Sequence, residues 1–300
     1  MESTSFSFPT NVLVGPGVIG RINETLISNG IHRPMVVTDA GLLSTDSFKK
    51  LTAAFLPGEL GRDWFLYSDV QPNPTEDNTR GAAELAIDKK CDGIIGFGGG
   101  SALDAAKVCR ILIKKPQLKL VDYDWEADWS GILPFIAVPT TAGTGSEVGR
   151  SGVVTPEGAK SKGMFFHPEL LAKYVFLDAE LTIGLPPALT AATGLDALTH
   201  CIESFTSPVF QPLCDGIALE GVSLIVRALP TAITDGSNIE ARSHMLVAAA
   251  MGGVAFQKDL GATHSLAHPL SAICGVHHGT ANAICLPYVM RFNSRKQPGV

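Results

Sequence analysis

The chain predicts an α/β domain with a Rossmann-like parallel sheet over residues 1–183, followed by an all-α domain over residues 184–300. Before about residue 183, short apolar runs rich in β-branched and aromatic residues alternate with helical stretches. Strands buried on both faces read as continuous apolar runs, and strand–helix alternation argues a parallel sheet covered on both sides. In order these are PMVVTDA and a helix to about Phe55, DWFLYSDV and a helix to Lys90, DGIIGFGGG and a helix to Ile113, FIAVPTT, and YVFLDAE. After LTIGLPP the pattern turns helical in PALTAATGLDALTHCIES, CDGIALEGVSLIVRAL and IEARSHMLVAAAMGGVAF. The Gly-Leu-Pro-Pro break sets the boundary, with Pro187 suited to the first turn of a helix.

Composition narrows the function classes. Three hundred residues bury ample core, and 45% hydrophobic residues with a mean hydropathy of +0.22 exclude a disordered chain. A net charge of −6 leaves no electrostatic footprint for nucleic acid or an anionic membrane. No apolar run approaches the ~20 residues of a membrane span, and MESTSFSFPTNVLVGPG is not organised as a signal peptide. Six cysteines without CxxC pairing read as buried thiols of a reducing compartment, which places the chain in the cytoplasm.

The segment GIIGFGGGSALDAAKV is a buried strand, a glycine run and a helix. Glycines let backbone amides approach a pyrophosphate, and the helix N-terminus favours its negative charge. Ser101 reads as the N-cap, with Asp104 completing an S-x-x-D box. Neither G-x-G-x-x-G nor G-x4-G-K-[ST] is present. Asp39 ends the strand MVVTD, where a carboxylate accepts hydrogen bonds from an adenosine ribose diol and repels a 2′-phosphate, favouring NAD over NADP.

The helical half carries donors for a metal. Asp196 and His200 stand four apart in GLDALTHCIES, His264 and His268 repeat that spacing in GATHSLAHP, and His278 follows in GVHHG. Residues four apart leave the same helix face one turn apart. A carboxylate with neutral imidazoles suits Fe(II), Zn(II), Ni(II) or Co(II) better than Mg or Ca.

Together GGGSALDAAK, PTTAGTGSE, GLPPALTAATGLDALTHCIE and GATHSLAHP…HHGTANAICLP resemble the iron-containing (group III) alcohol dehydrogenase family, from about residue 8 to residue 293. The resemblance implies a dehydroquinate synthase-like architecture: a dinucleotide-binding domain, a helical metal domain, and catalysis between them. It places the metal ligands on Asp196, His200, His264 and His278, the last directly preceding Gly279. It assigns His268 a proton-relay or positioning role. On the cofactor side it covers Asp39, Asn73, Gly99, Gly100, Ser101, Asp104, Thr140, Thr141, Lys162 and Leu181. The implied activity is hydride transfer between NAD(H) and a primary alcohol or small hydroxy acid, with Fe(II) as the first choice of metal and a homodimer as the assembly. A non-catalytic or lyase-type member of the same fold is the alternative.

Three departures from the family's pattern bear on the substrate. Gly149 and Ser151 stand where larger residues are usual, so Gly149, Ser151 and Val153, as alternate strand residues, are expected to line a roomier pocket. The segment MGGVAFQKDLGATH is one residue shorter than usual between Phe256 and His264, and sets Lys258 and Asp259 near the metal residues. Phe256 and Lys258 are therefore expected at the pocket, Lys258 pairing with a substrate carboxylate. Finally, the chain ends at RFNSRKQPGV, whereas family members usually continue, so the helical domain is expected to be incomplete at its C-terminus.

Overall fold

The computed structural model describes residues 4–55, 64–159 and 161–296, and the last residues of RFNSRKQPGV lie outside them. Two compact units result. The first, from Pro9 to Thr140 and from Ser146 to Gly184, holds the sheet; the second comprises residues 4–8, Thr141–Gly145 and the described residues from Leu185 onward.

In the sheet unit six parallel strands are β1 (Asn11–Val14), β2 (Pro34–Val37), β3 (Phe65–Tyr67), β4 (Gly93–Gly98), β5 (Phe135–Pro139) and, after the hairpin β6 (Ser151–Val154) and β7 (Gly163–Phe166), β8 (Tyr174–Leu177). Their order is β1-β8-β5-β4-β2-β3, with the antiparallel β6–β7 pair as a separate two-stranded sheet. Register runs through the centre, with Val36 opposite Ile95 and Ile95 opposite Ile136. Strands β2, β4 and β5 are buried along their whole length, whereas the edge strands β1 and β3 are part-exposed.

Helices α1 (Ile22–Ser28), α2 (Asp46–Ala54), α3 (Glu76–Asp88) and α4 (Gly100–Lys114) complete this unit. Leu26, Phe48 and Leu51 from these helices join Val36, Ile95, Phe97, Ile136 and Val138 from the sheet in one core. The chain leaves β2 toward β3 on one side and leaves β4 toward β5 on the other. The strand order thus switches between β2 and β4, and in open parallel sheets the crevice beyond the carboxyl ends of such strands is where ligands bind.

The second unit is helical: α5 (Pro187–Thr206), α6 (Pro212–Thr234), α7 (Ile239–Ala255), α8 (Ala262–Cys274) and α9 (His278–Lys296). Ala197, Cys201, Ile225, Leu229, Met245 and Ala248 form its core at the meeting of α5, α6 and α7. Small residues dominate there, which lets the three helices approach closely. The membrane expectation needs one correction. Among the described residues α6 is long and apolar enough to cross a bilayer by length and composition. It nonetheless carries Asp215, Glu220 and Arg227 and packs on α5 and α7, as a bundle helix does.

Candidate metal centre and cofactor loops

Three helices of the second unit carry the candidate metal donors. Asp196 and His200 project from one face of α5, His264 is the third residue of α8, and His278 is the first of α9. Ligand atoms of Asp196, His200 and His264 all lie within 4.8 Å of one another, and all three residues are buried. His278 Nε2 is 3.7 Å from Asp196 Oδ1, and His264 Nε2 is 3.9 Å from the same oxygen. The His200 and His264 rings stack with centroids 4.6 Å apart.

The first turn of α9 reaches α5 because residue 279 is glycine. A Cβ there would stand 2.1 Å from the Ala192 carbonyl oxygen and 3.3 Å from Asp196 Cβ. The helix contact that places His278 beside Asp196 therefore excludes any side chain at position 279.

The electrostatics fit a divalent cation. Burial pushes His200 down to about 4, so its imidazole is neutral at pH 7, and its Nδ1 is a buried nitrogen without a hydrogen-bond partner. Burial opposes the charge of Asp196, yet the surrounding imidazoles and Asn282 outweigh it and hold the carboxyl below its ordinary range. One ionised carboxylate among several imidazoles is the donor chemistry of Fe(II), Zn(II) and their neighbours.

Two further residues belong to this cluster and escaped sequence reasoning. Asn282, fully buried, donates through Nδ2 to Asp196 Oδ1 at 2.6 Å, and that nitrogen lies 3.2 Å from His264 Nε2 and 3.3 Å from His278 Nε2. Glu203, also buried, accepts from His264 Nδ1 at 2.6 Å. Their only signal in the sequence is helical spacing, Asn282 four after His278 and Glu203 three after His200.

His268 lies one turn beyond His264 on α8, is exposed, and has its ring 5.1 Å from that of His278. Phe256 sets its ring 5.5 Å from His200 and so forms an apolar wall beside a donor.

Lys258 corrects an expectation. It is only 5% exposed, and its Nζ donates to Asp215 Oδ1 at 2.6 Å and to the Phe205 carbonyl at 3.1 Å. A lysine neutralised by an internal carboxylate is committed to holding the segment after α7 against α5 and α6, and is not an anchor for a substrate anion.

In the sheet unit the glycine run turns sharply at Gly98. Its φ is +144°, and a Cβ there would lie 2.8 Å from Ala102 Cβ and 3.7 Å from Asp39 Oδ2. The bend thus brings the Asp39 carboxylate beside the loop at the strand-order switch. Asp39 precedes a short 3-10 turn without capping it, so its carboxylate is not spent on local structure. Thr140 N donates to the Gly98 carbonyl at 3.0 Å, while Thr141 groups with the helical unit.

Asn73, at φ +58°, donates from its backbone to Ser101 Oγ at 3.4 Å and accepts from Lys162 Nζ at 2.7 Å. Asn73, Ser101 and Lys162 therefore form one group at the N-terminus of α4, where first-turn amides lack helical carbonyl partners.

Four expectations in this unit change. The N-cap of α4 is Gly99, not Ser101, which sits inside the first turn and makes no cap bond. Asp104 is engaged on both oxygens: Oδ1 accepts from Ser146 Oγ at 2.5 Å and pairs with buried Lys107 at 3.3 Å, and Oδ2 accepts from Val153 N at 3.0 Å. It fastens the 146–153 segment to α4 instead of closing a capping box with Ser101. Leu181, 1% exposed, is a core residue, so its side chain offers a cofactor nothing. Gly149 precedes β6, which starts at Ser151; only Ser151 and Val153 share the less buried strand face, opposite Gly152 and Val154.

Known proteins resemble this chain in sequence and fold. Residues 9–179 match the iron-containing alcohol dehydrogenase model, and residues 190–299 match the C-terminal model of the same family. The chain belongs to the iron-containing alcohol dehydrogenase family. Among its relatives, the 4-hydroxybutyrate dehydrogenase of Cupriavidus necator is 39% identical over 296 residues, which span 95% of this chain and 76% of that protein. A 1,3-propanediol oxidoreductase structure superposes with a TM-score of 0.92 at 34% identity, covering 98% of this chain and 78% of the other. Sulfoacetaldehyde reductase from Bifidobacterium kashiwanohense, solved with NAD+, gives 0.90 at 30% identity, covering 98% and 77%. This family member is an oxidoreductase that uses NAD(H) and a metal.

Proposed function

We propose that the enzyme interconverts a primary alcohol, or a small hydroxy acid, and the corresponding aldehyde or oxo acid, with Asp196, His200, His264 and His278 holding one Fe(II) per chain. Zn(II) and Ni(II) suit the same donors. The observation that carries this reading is the convergence of one carboxylate and three imidazoles from α5, α8 and α9. When bound, the ion supplies Lewis acidity to the substrate oxygen and NAD supplies the hydride acceptor. Overall, alcohol and NAD+ give carbonyl, NADH and one proton.

The chain's own residues divide the remaining work. The amides at Gly99 and Gly100 would hold the pyrophosphate, aided by the Asn73–Ser101–Lys162 group and Thr140. Asp39 would accept from the ribose diol. His268, exposed and one turn from His264, takes the proton released on alcohol oxidation at an imidazole nitrogen and passes it to water. Phe256 keeps water from the His200 side of the centre. The convergence of these donors supports this reading over a non-catalytic member, and the relatives named as dehydrogenases support it over a lyase-type one.

The hydroxy-acid option rests on relatives named for 4-hydroxybutyrate and sulfoacetaldehyde, and not on Lys258. NADH oxidation with matched neutral and ω-carboxylated aldehydes tests it. Equal efficiencies across each pair would remove the preference for an acid, and inactivity with every aldehyde would overturn the dehydrogenase reading.

Asp39→Gly is expected to raise the NADP-to-NAD ratio of kcat/KM about tenfold or more, because removing a like-charge contact is worth at least ~1.4 kcal/mol. A wild-type enzyme that prefers NADPH would contradict this role. The cysteines are free thiols, with Cys109, Cys201, Cys214 and Cys285 buried but Cys91 half-buried and Cys274 exposed. The expectation of buried thiols thus holds for four of them, and a reducing, cytoplasmic setting is proposed on that basis. The proposal includes a homodimer, which sedimentation checks.

A further inference from the structure

Glu203 is 4% exposed on α5, and its carboxylate faces the first turn of α8. It accepts from Thr263 N at 2.5 Å, from His264 N at 3.2 Å and from His264 Nδ1 at 2.6 Å. Two of these donors are helix N-terminal amides, which have no carbonyl partner within their own helix. The third is the imidazole itself. Gly261 stands against the same carboxylate, where a Cβ would lie 2.8 Å from Oε1.

A carboxylate is an acceptor only, so a neutral imidazole facing it must carry its hydrogen on Nδ1. The lone pair then belongs to Nε2, the nitrogen 3.9 Å from Asp196 Oδ1. The same two oxygens fix the backbone from which the ring hangs. We infer that Glu203 is the positioning residue for His264, setting both its tautomer and its place among the metal donors. This rests on the metal reading above. Ligating histidines characteristically donate their second N–H to such a partner, which holds the ring and strengthens it as a ligand. Glu203 serves the ligand while standing outside the ligand set.

The test uses the full chain labelled with 15N-histidine and stripped of metal, followed by Zn(II) titration against a competing chelator. Long-range 1H–15N correlation is expected to show His264 as the Nδ1–H tautomer in the wild type. In Glu203→Gln a carboxamide can turn its NH2 toward Nδ1, so the other tautomer appears, and Zn(II) affinity falls about 10–100-fold. Glu203→Asp keeps the charge with a shorter reach. It is expected to retain the tautomer with an intermediate affinity, and it serves as the folded reference if Glu203→Gln is unstable. A Glu203→Gln protein with the wild-type tautomer and affinity, even at a lowered Tm, would reduce Glu203 to a structural role and overturn the inference. Wild-type chain that keeps the tautomer but takes up no Zn(II) would instead overturn the metal reading, and with it the purpose assigned to Glu203.

Discussion

His264→Ala is expected to leave the purified chain without metal and without alcohol-dependent NADH formation. The substitution removes one of four donors and leaves the buried Glu203 carboxylate without the ring N–H it accepts at 2.6 Å. Partners outside the ligand set already cost about 10–100-fold when altered, so losing a ligand should cost more than about 100-fold in affinity. Both losses should appear in one sample, by elemental analysis and by absorbance at the NADH band. A variant with wild-type metal content would show that His264 is not a ligand.

Gly279→Ala is expected to bring the helical unit no gain in stability, although alanine is the better helix former. By propensity alone, replacing a helical glycine gains ~1 kcal/mol. Here the added Cβ would stand 2.1 Å from the Ala192 carbonyl oxygen, so α9 must move away from α5. Overpacking of this kind costs about 1–3 kcal/mol, which outweighs or cancels the gain. His278 travels with α9, so its 3.7 Å approach to Asp196 opens. Thermal unfolding of metal-stripped protein should show a Tm at or below that of the wild type, and metal affinity should fall more steeply than stability. A raised Tm with unchanged affinity would mean that the α5–α9 contact does not hold His278 in place.

The central strands are legible because a parallel strand buried on both faces writes itself as an unbroken apolar run, as in β2, β4, β5 and β8. The half-exposed edge strand β1 and the hairpin strand β7 leave no such run and are not singled out in the sequence. Asp196, His200 and His264 announce themselves through donor type and helical spacing. Glu203 and Asn282 do not, because a glutamate or asparagine at that spacing usually marks a solvated face, and only packing shows these two to be buried. Lys258 misleads for the converse reason. Its partner Asp215 lies 43 residues earlier, a pairing that sequence proximity to His264 cannot reveal. Asp104 sits at a phosphate-loop position, yet its bonds are drawn by Ser146 and Val153 from a later segment.

Stepwise return of Fe(II) to metal-stripped enzyme under anaerobic conditions, with iron content and alcohol-dependent NADH formation read on each sample, addresses the role of the four donors most directly. Activity is predicted to rise in proportion to bound iron and to level off at one iron per chain, with no such rise in the His264→Ala chain. Full activity in the metal-stripped enzyme, or in the iron-treated His264→Ala chain, would contradict the assignment of Asp196, His200, His264 and His278 to the metal that serves the reaction.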